Sequence, residues 1–234
     1  FAGIPLIFIL KQPDLSTTIV TAVIFIVLLF IAGLSYRIVF TVLAIAVPSL
    51  VVALTYVIQL AKSTDAKYPY QLDRIMAWLY PKDPRWAGKA LQQQNSIMAI
   101  GSGQLWGKGL NNLESTSMLN TNYILEPQTD FIFAVIGEEL GFVGCAVVVA
   151  LLFLTVVECI YIGSRAKDLQ GRLICCGMAT WIGFQSFVNI GVNTGLLPNT
   201  GVPLPFVSYG LSSVIAIYIG MGFVLNVGLQ PKKY

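Results

Sequence analysis

Residues 142–163 read FVGCAVVVALLFLTVVECIYIG, an apolar run whose only charge is Glu158. At 1.5 Å per residue, a helix of this length crosses the hydrocarbon core of a bilayer. Working outward, the residues just before it are Glu126-Pro127-Gln128-Thr129-Asp130-Phe131-Ile132-Phe133-Ala134-Val135-Ile136-Gly137-Glu138-Glu139. They set carboxylates against the apolar run. Ionisable side chains are costly at a membrane, so such a cluster marks a functional site by default. Asp130 sits where the polar turn meets the run, placed to act as a base at the bilayer edge.

The rest of the chain has the same character. Of 234 residues, 56% are hydrophobic and 11% charged, and the mean hydropathy is +0.76. A soluble domain carries about 25% charged residues, so this is an integral membrane protein. A net charge of +3 without a basic stripe argues against nucleic-acid binding. Cys145, Cys159, Cys175 and Cys176 lie in apolar segments at no metal-ligand spacing and read as small packing residues. With no histidine, a histidine base or His-ligated metal is excluded within these residues. The chain begins with Phe1, and its first apolar segment ends near Leu10, where a span needs about 20 residues. We read it as the C-terminal part of a longer protein, cut inside a membrane helix.

Five spans are expected, at Leu15–Leu34, Ile38–Leu60, Phe142–Gly163, Leu173–Thr194 and Val207–Leu229, with Phe1–Leu10 ending a sixth. The fold class is thus an all-α polytopic membrane protein with about six transmembrane segments. If the spans alternate, Arg37, then Arg165, Lys167 and Arg172, then Lys232 and Lys233 share one side. The positive-inside rule makes that side cytoplasmic. A large loop, 62–141, and a Pro/Gly-rich loop, 195–206, then face outside with Gln12-Pro13-Asp14. Ala90–Leu110 suggests a short interfacial helix followed by a glycine-rich turn. Irregular backbone at membrane depth must be buried in protein or line a cavity. Pro198–Gly210 is therefore expected to be a re-entrant cavity wall.

Each candidate residue has a structural alternative. Thr129 or Asp130 could cap the helix starting near Phe131; alternatively, Asp130 is a general base, ionised at neutral pH. Asp14, after Pro13, reads equally as a helix start or as a carboxylate that binds a cation or sugar hydroxyl. Gly101-Ser102-Gly103-Gln104-Leu105-Trp106-Gly107-Lys108-Gly109 is either a set of turns with an exposed lysine or a phosphate cradle in which Lys108 meets a diphosphate. No Ser or Thr follows the lysine, so it is not a Walker motif. Gln185, Asn189 and Asn193 form one stripe on a helix, for interhelical hydrogen bonds or a substrate groove. The small residues of Gly191-Val192-Asn193-Thr194-Gly195 suit close contact with a partner helix.

Taken in order, several segments resemble the SEDS family (shape, elongation, division and sporulation; the RodA/FtsW/SpoVE group). They are Gln12-Pro13-Asp14-Leu15, Ala99-Ile100-Gly101-Ser102-Gly103 with Gly107-Lys108-Gly109, Thr129-Asp130-Phe131-Ile132-Phe133-Ala134, Glu138-Glu139-Leu140-Gly141, and Leu204-Pro205-Phe206-Val207-Ser208-Tyr209-Gly210. The resemblance covers nearly the whole chain. It departs at Gln128, often histidine in the family, and at Gly210-Leu211, usually Gly-Gly.

The resemblance implies that residues 1–234 are a single membrane domain, the C-terminal part of a ten-helix fold, with 62–141 as an extracytoplasmic catalytic loop. It implies a multi-pass protein of the bacterial cytoplasmic membrane. The expected activity is a peptidoglycan glycosyltransferase polymerising lipid II at the outer face, with an undecaprenyl diphosphate leaving group, for elongation, division or sporulation. The family's essential aspartate falls on Asp130. Asp14, Lys108, Gln12, Thr129 and Ser208 are the candidate substrate-binding residues, and Asp14 the candidate ligand of a divalent cation (Mg or Mn). The expected partners are lipid II, membrane lipids and a class B penicillin-binding protein, a transpeptidase; no nucleic acid is expected. A flippase for lipid-linked cell-wall precursors is the rival. It would need cations along its path, and no Lys or Arg lies in the middle of a span.

Overall fold

The computed structural model describes residues 15–38, 70–110 and 128–230, and the separate positions 41, 44, 48, 52 and 55. Regular structure among them is entirely helical: α1 (Leu15–Ile31), α2 (Tyr70–Leu79), α3 (Ala87–Ser102), α4 (Ile132–Ser164), α5 (Leu169–Asn193) and α6 (Leu211–Leu229). Three of these, α4, α5 and α6, are long and apolar enough to cross a membrane, and α1 is a shorter apolar helix. Residues 36–38 and the five separate positions are also helical. The rest of the expected second span, and Phe1–Leu10, lie outside the described residues.

Helix α5 is the hub and packs against α1, α3, α4 and α6. Its buried residues include Gly171, Cys175, Met178, Ile182, Gln185, Asn189 and Asn193, a repeat of three and four that keeps one stripe inward. The main core joins Cys159, Cys175, Ile182, Leu204 and Val224 from α4, α5, the 194–210 segment and α6. Asp168 starts α5 as a conventional cap, its Oδ1 accepting from the Gly171 N–H at 3.0 Å. The outward faces stay apolar: Phe153 on α4 and Phe223 on α6 are more than half exposed. That suits lipid contact.

The expected span at 142–163 is one half of a longer broken helix. Within α4, Gly141 has φ 66 and ψ −163, a conformation essentially reserved for glycine. The break strands backbone groups on both sides, and the glycine-rich turn after α3 satisfies them. Phe142 and Val143 donate to the carbonyls of Gln104 and Leu105, while Lys108 and Gly109 donate to those of Glu138 and Glu139. Segment 103–109 thus splices the two halves of α4. Gly107 and Gly141 approach so closely that a Cβ on either would meet the other segment's backbone.

The helix expected within Ala90–Leu110 forms as α3, and it turns a polar side into the protein. Gln93, Asn95 and Ser96 are buried, whereas Leu91, Ile97 and Met98 are exposed. Its polar face bonds to the C-terminal end of α5: Gln93 Nε2 donates to Val192 O at 2.8 Å, and Ser96 Oγ to Asn193 O at 3.0 Å. Helix α2 is tied to α3 by Met76, Ala77, Trp86 and Ala90. In the turn between them, Asp83 bonds Arg85 at 2.9 Å, and this guanidinium holds its carboxyl below the usual carboxylate range.

Candidate active site at the broken end of the bundle

Residues 194–210 form no helix. Proline at 198, 203 and 205 removes N–H donors. The remaining problem is the carbonyls, and side chains from four helices answer it. Ser16 of α1 donates to Thr200 O at 2.8 Å, Arg74 of α2 to Asn199 O at 3.4 Å, and Trp78 to Gly195 O at 2.9 Å. Gln93 of α3 donates to Leu197 O at 2.6 Å. From α5, Gln185 donates to Pro203 O at 2.8 Å and Asn189 to Val202 O at 2.6 Å. Polar residues of four helices therefore hold an irregular loop at one end of the bundle. The turn between α4 and α5 lies at the opposite end, with the C-terminal part of α6, since a Cβ on Gly171 would meet Val227.

Asp130 is held against this loop by its backbone. Its carbonyl accepts from Asn189 Nδ2 at 2.8 Å and Asn193 Nδ2 at 3.0 Å. One residue earlier, Thr129 O accepts from Ser208 Oγ at 2.6 Å, and the Tyr209 N–H donates to Gln128 O. Asp130 does not occupy the cap position of α4. That position is Phe131, whose side chain makes no cap bond, and the Ala134 N–H reaches Asn193 Oδ1 at 3.2 Å. The Asp130 carboxylate turns to Gly201 and shares its surroundings with Arg74. A Cβ on Gly201 would stand 3.3 Å from Asp130 Oδ2 and 3.4 Å from Arg74 Nη1. Asp130 and Arg74 are both half-buried. Beside them, Asn199 Oδ1 and Thr200 Oγ1 are buried without a hydrogen-bond partner. An open groove of about 510 Å³, lined by Gln128, Ile132, Ser208, Tyr209, Leu211 and Val214 among others, runs from the 128–130 turn along α6.

The structure distributes the expected site residues unevenly. Asp130, Thr129 and Ser208 come together. Ser208 is buried, and its hydroxyl serves two backbone groups, donating to Thr129 O and accepting from the Leu204 N–H at 2.6 Å. Its visible work is to pin the turn. Lys108 is elsewhere: its Nζ pairs with Glu138 Oε1 at 2.8 Å, and Glu138 is 1% exposed. With the N–H groups of Lys108 and Gly109 bonded to α4 carbonyls, the glycine-rich segment is a splice for a broken helix, which corrects the phosphate-cradle expectation. Gln12 and Asp14 lie outside the described residues; Ser16, two residues beyond Asp14, reaches the loop. Among the described residues, no three His, Cys, Asp or Glu side chains come together to hold a metal ion. Within 191–195, Val192 and Asn193 are buried and bonded within the chain, and Gly191 packs on Leu197. These contacts lie within the chain, while Thr194 is exposed.

Sequence reasoning missed Arg74. It lies in the 62–141 segment, far from Asp130 along the chain, and its only local signal was a cation on the short helical pattern Tyr70–Leu79. The Asn stripe was seen, but its targets, the Asp130 and Val202 carbonyls, require knowledge of which elements abut.

The family model of FtsW, RodA and SpoVE, described as a cell cycle protein, matches residues 1–233. Among curated relatives, the probable peptidoglycan glycosyltransferase FtsW of Nitrosomonas europaea is 38% identical over 228 residues, covering 96% of this chain and 54% of the relative. The peptidoglycan glycosyltransferase MrdB of Escherichia coli K12 is 38% identical over 229 residues, covering 97% of this chain and 58% of its own. Among solved structures, a chain of a peptidoglycan synthase complex that coordinates polymerization and crosslinking is 30% identical, with a TM-score of 0.65 over 94% of this chain and 56% of that one. The rod shape determining protein RodA of Thermus thermophilus is 27% identical, with a TM-score of 0.56 over 97% of this chain and 54% of that one. The chain spans about half the length of the relatives it matches. The match along almost every residue, on an all-helical membrane architecture, makes this chain a member of the FtsW/RodA/SpoVE family.

Proposed function

We propose that the protein containing this chain is a peptidoglycan glycosyltransferase that polymerises lipid II at the outer face of the bacterial cytoplasmic membrane. The observation that carries the reading is the placement of Asp130. Asn189, Asn193 and Ser208 bind the backbone of the 128–130 turn, so the half-buried carboxylate is fixed at the loop end of the bundle. Fixed geometry is what a base needs. A sugar whose leaving group is a lipid diphosphate is already activated, so no second carboxyl acid of the glycosidase kind is required.

The Asp130 carboxylate takes the proton of the acceptor GlcNAc hydroxyl as its oxygen attacks the anomeric carbon of the MurNAc diphosphate. The C–O bond to the diphosphate breaks, its electron pair leaves on the polyprenyl diphosphate, and the configuration inverts. The groove beside Gln128 along α6 is open and mostly apolar and continues from the reacting end, so it suits the polyprenyl tail. A class B penicillin-binding protein would crosslink the strands made here; the likeness to the peptidoglycan synthase complex supports such a partner. The Asp130 end of the bundle is assigned to the outside because Arg165, Lys167 and Arg172 mark the opposite end.

The test is polymerisation of lipid II by the purified full-length protein with its transpeptidase partner. Glycan strands that disappear in Asp130→Asn support the reading, and strands that persist contradict it.

A further inference from the structure

We propose that Phe206 is a positioning residue for glycosyl transfer: its backbone, held at a positive φ, shapes the turn that fixes the 128–130 segment and so places the Asp130 carboxylate. The inference rests on the glycosyl-transfer reading above. Phe206 has a φ of +64, in the left-handed region that bulky L-residues rarely enter. The local turn demands it. The Val207 N–H donates to Leu204 O at 3.3 Å, which closes Leu204-Pro205-Phe206-Val207 as a β-turn. Proline at the second position and a positive φ at the third are the pattern of a type II turn, whose third place normally goes to glycine or asparagine. Here that place holds phenylalanine, and strain of this kind persists only where the surroundings over-determine it.

The surroundings do so. Leu204 and Pro205 are almost fully buried. The Phe206 ring packs on the main core and meets Tyr218 of α6 edge to face, with centroids 5.9 Å apart. The turn then brings Ser208 back onto Leu204. The Ser208 N–H donates to Leu204 O at 3.0 Å, and Ser208 Oγ accepts from the Leu204 N–H at 2.6 Å. That closed ring aims the Ser208 hydroxyl at Thr129 O, 2.6 Å away, and the following N–H, of Tyr209, at Gln128 O, 2.9 Å away. Both acceptors belong to the two residues that precede Asp130. With a negative φ at 206 the chain would leave the turn in another direction, and neither bond could form as seen. The aromatic contacts hold the conformation, and the backbone at 206 is what the site uses.

The experiment uses the full-length protein with its transpeptidase partner and compares Phe206→Gly with Phe206→Ala, the kinetics being referred to folded protein. Both variants lose the ring, but only glycine takes the positive φ without strain. The left-handed penalty of a Cβ corresponds to about fivefold or more in the population of the native turn. Phe206→Gly is therefore expected to exceed Phe206→Ala in kcat for lipid II polymerisation by at least about fivefold, with KM alike. A role in packing alone predicts the reverse, since glycine leaves the larger void. A smaller ratio, or the reverse order, overturns the proposal. If Phe206→Ala does not assemble, Phe206→Leu, which keeps apolar bulk, takes its place against glycine. Hydrogen exchange over 128–134 is measured alongside and is expected to be faster in Phe206→Ala than in Phe206→Gly. Equal exchange in the two overturns the positioning whatever the activity. Faster exchange in Phe206→Ala, with no glycan made by the wild type, fails the glycosyltransferase reading while the positioning of the turn holds.

Discussion

Replacing Asn189 by alanine isolates the link between the α5 stripe and the Asp130 turn. Asn189 is 1% exposed, and its Nδ2 joins the Asp130 carbonyl at 2.8 Å to the Val202 carbonyl at 2.6 Å. Each neutral hydrogen bond contributes a net of about 0.5–1.5 kcal/mol. The Asp130 carbonyl keeps its bond from Asn193, whereas the Val202 carbonyl loses the donor seen here. The expected destabilisation is therefore about 1–2 kcal/mol, nearer the lower end if water enters the gap. Activity should fall much further, because a displacement of about 1 Å at a reacting group costs on the order of 10²-fold. Asn189→Asp should be worse than Asn189→Ala: it sets a carboxyl against two carbonyl oxygens, and burial resists its ionisation. The assay pairs thermal unfolding of the full-length protein with glycan-strand formation, the folded fraction being normalised. Wild-type polymerisation in Asn189→Ala, with or without lost stability, would refute the idea that α5 positions Asp130.

Gly201→Ala should lower activity and cost about 1–2 kcal/mol, because φ is +73 and the added Cβ crowds Asp130 and Arg74; wild-type turnover would show that this crowding does not reach the reacting groups. Lys108→Met should destabilise by up to about 3–5 kcal/mol, less in so far as Lys108 reaches solvent, because it strands the buried Glu138. Adding Glu138→Gln should recover most of that loss, and no recovery in thermal unfolding would mean the pair is not coupled. With the native cysteines replaced, an impermeant thiol reagent outside the cell should label a cysteine at 106 and not one at 167; the reverse pattern would invert the topology.

Much of the membrane architecture is legible in periodicity and run length, because a span is a local property. Helices α5 and α6 lie within a few residues of their expected bounds. The break in α4 was hidden because Glu138-Glu139 before Gly141 read as the end of the polar loop, and only the approach of 103–109 explains how the helix continues across it. The burial of the polar side of α3 was hidden because the partners of Gln93 and Ser96 come from α5. The site was half legible. The acidic turn and the proline-rich loop announce themselves as polar or broken sequence near a span. Arg74 does not, since nothing local ties residue 74 to residue 130. Lys108 misled because a glycine-flanked lysine has the same sequence whether it faces phosphate or a buried glutamate.

Asp130→Asn tests the central claim most directly. The change keeps the side chain's shape and removes its charge. A suitable control is Asp83→Asn, an acid of the same 62–141 segment with no assigned role in the site; Glu138→Gln would disturb the buried pair with Lys108. General-base catalysis contributes about 10²–10⁴-fold. The account predicts that Asp130→Asn, expressed, folded and bound to its partner like the wild type, loses lipid II polymerisation by at least about 10²-fold while Asp83→Asn retains it. A loss in Asp130→Asn of less than about tenfold, or an equal loss in both variants, would contradict Asp130 as the base.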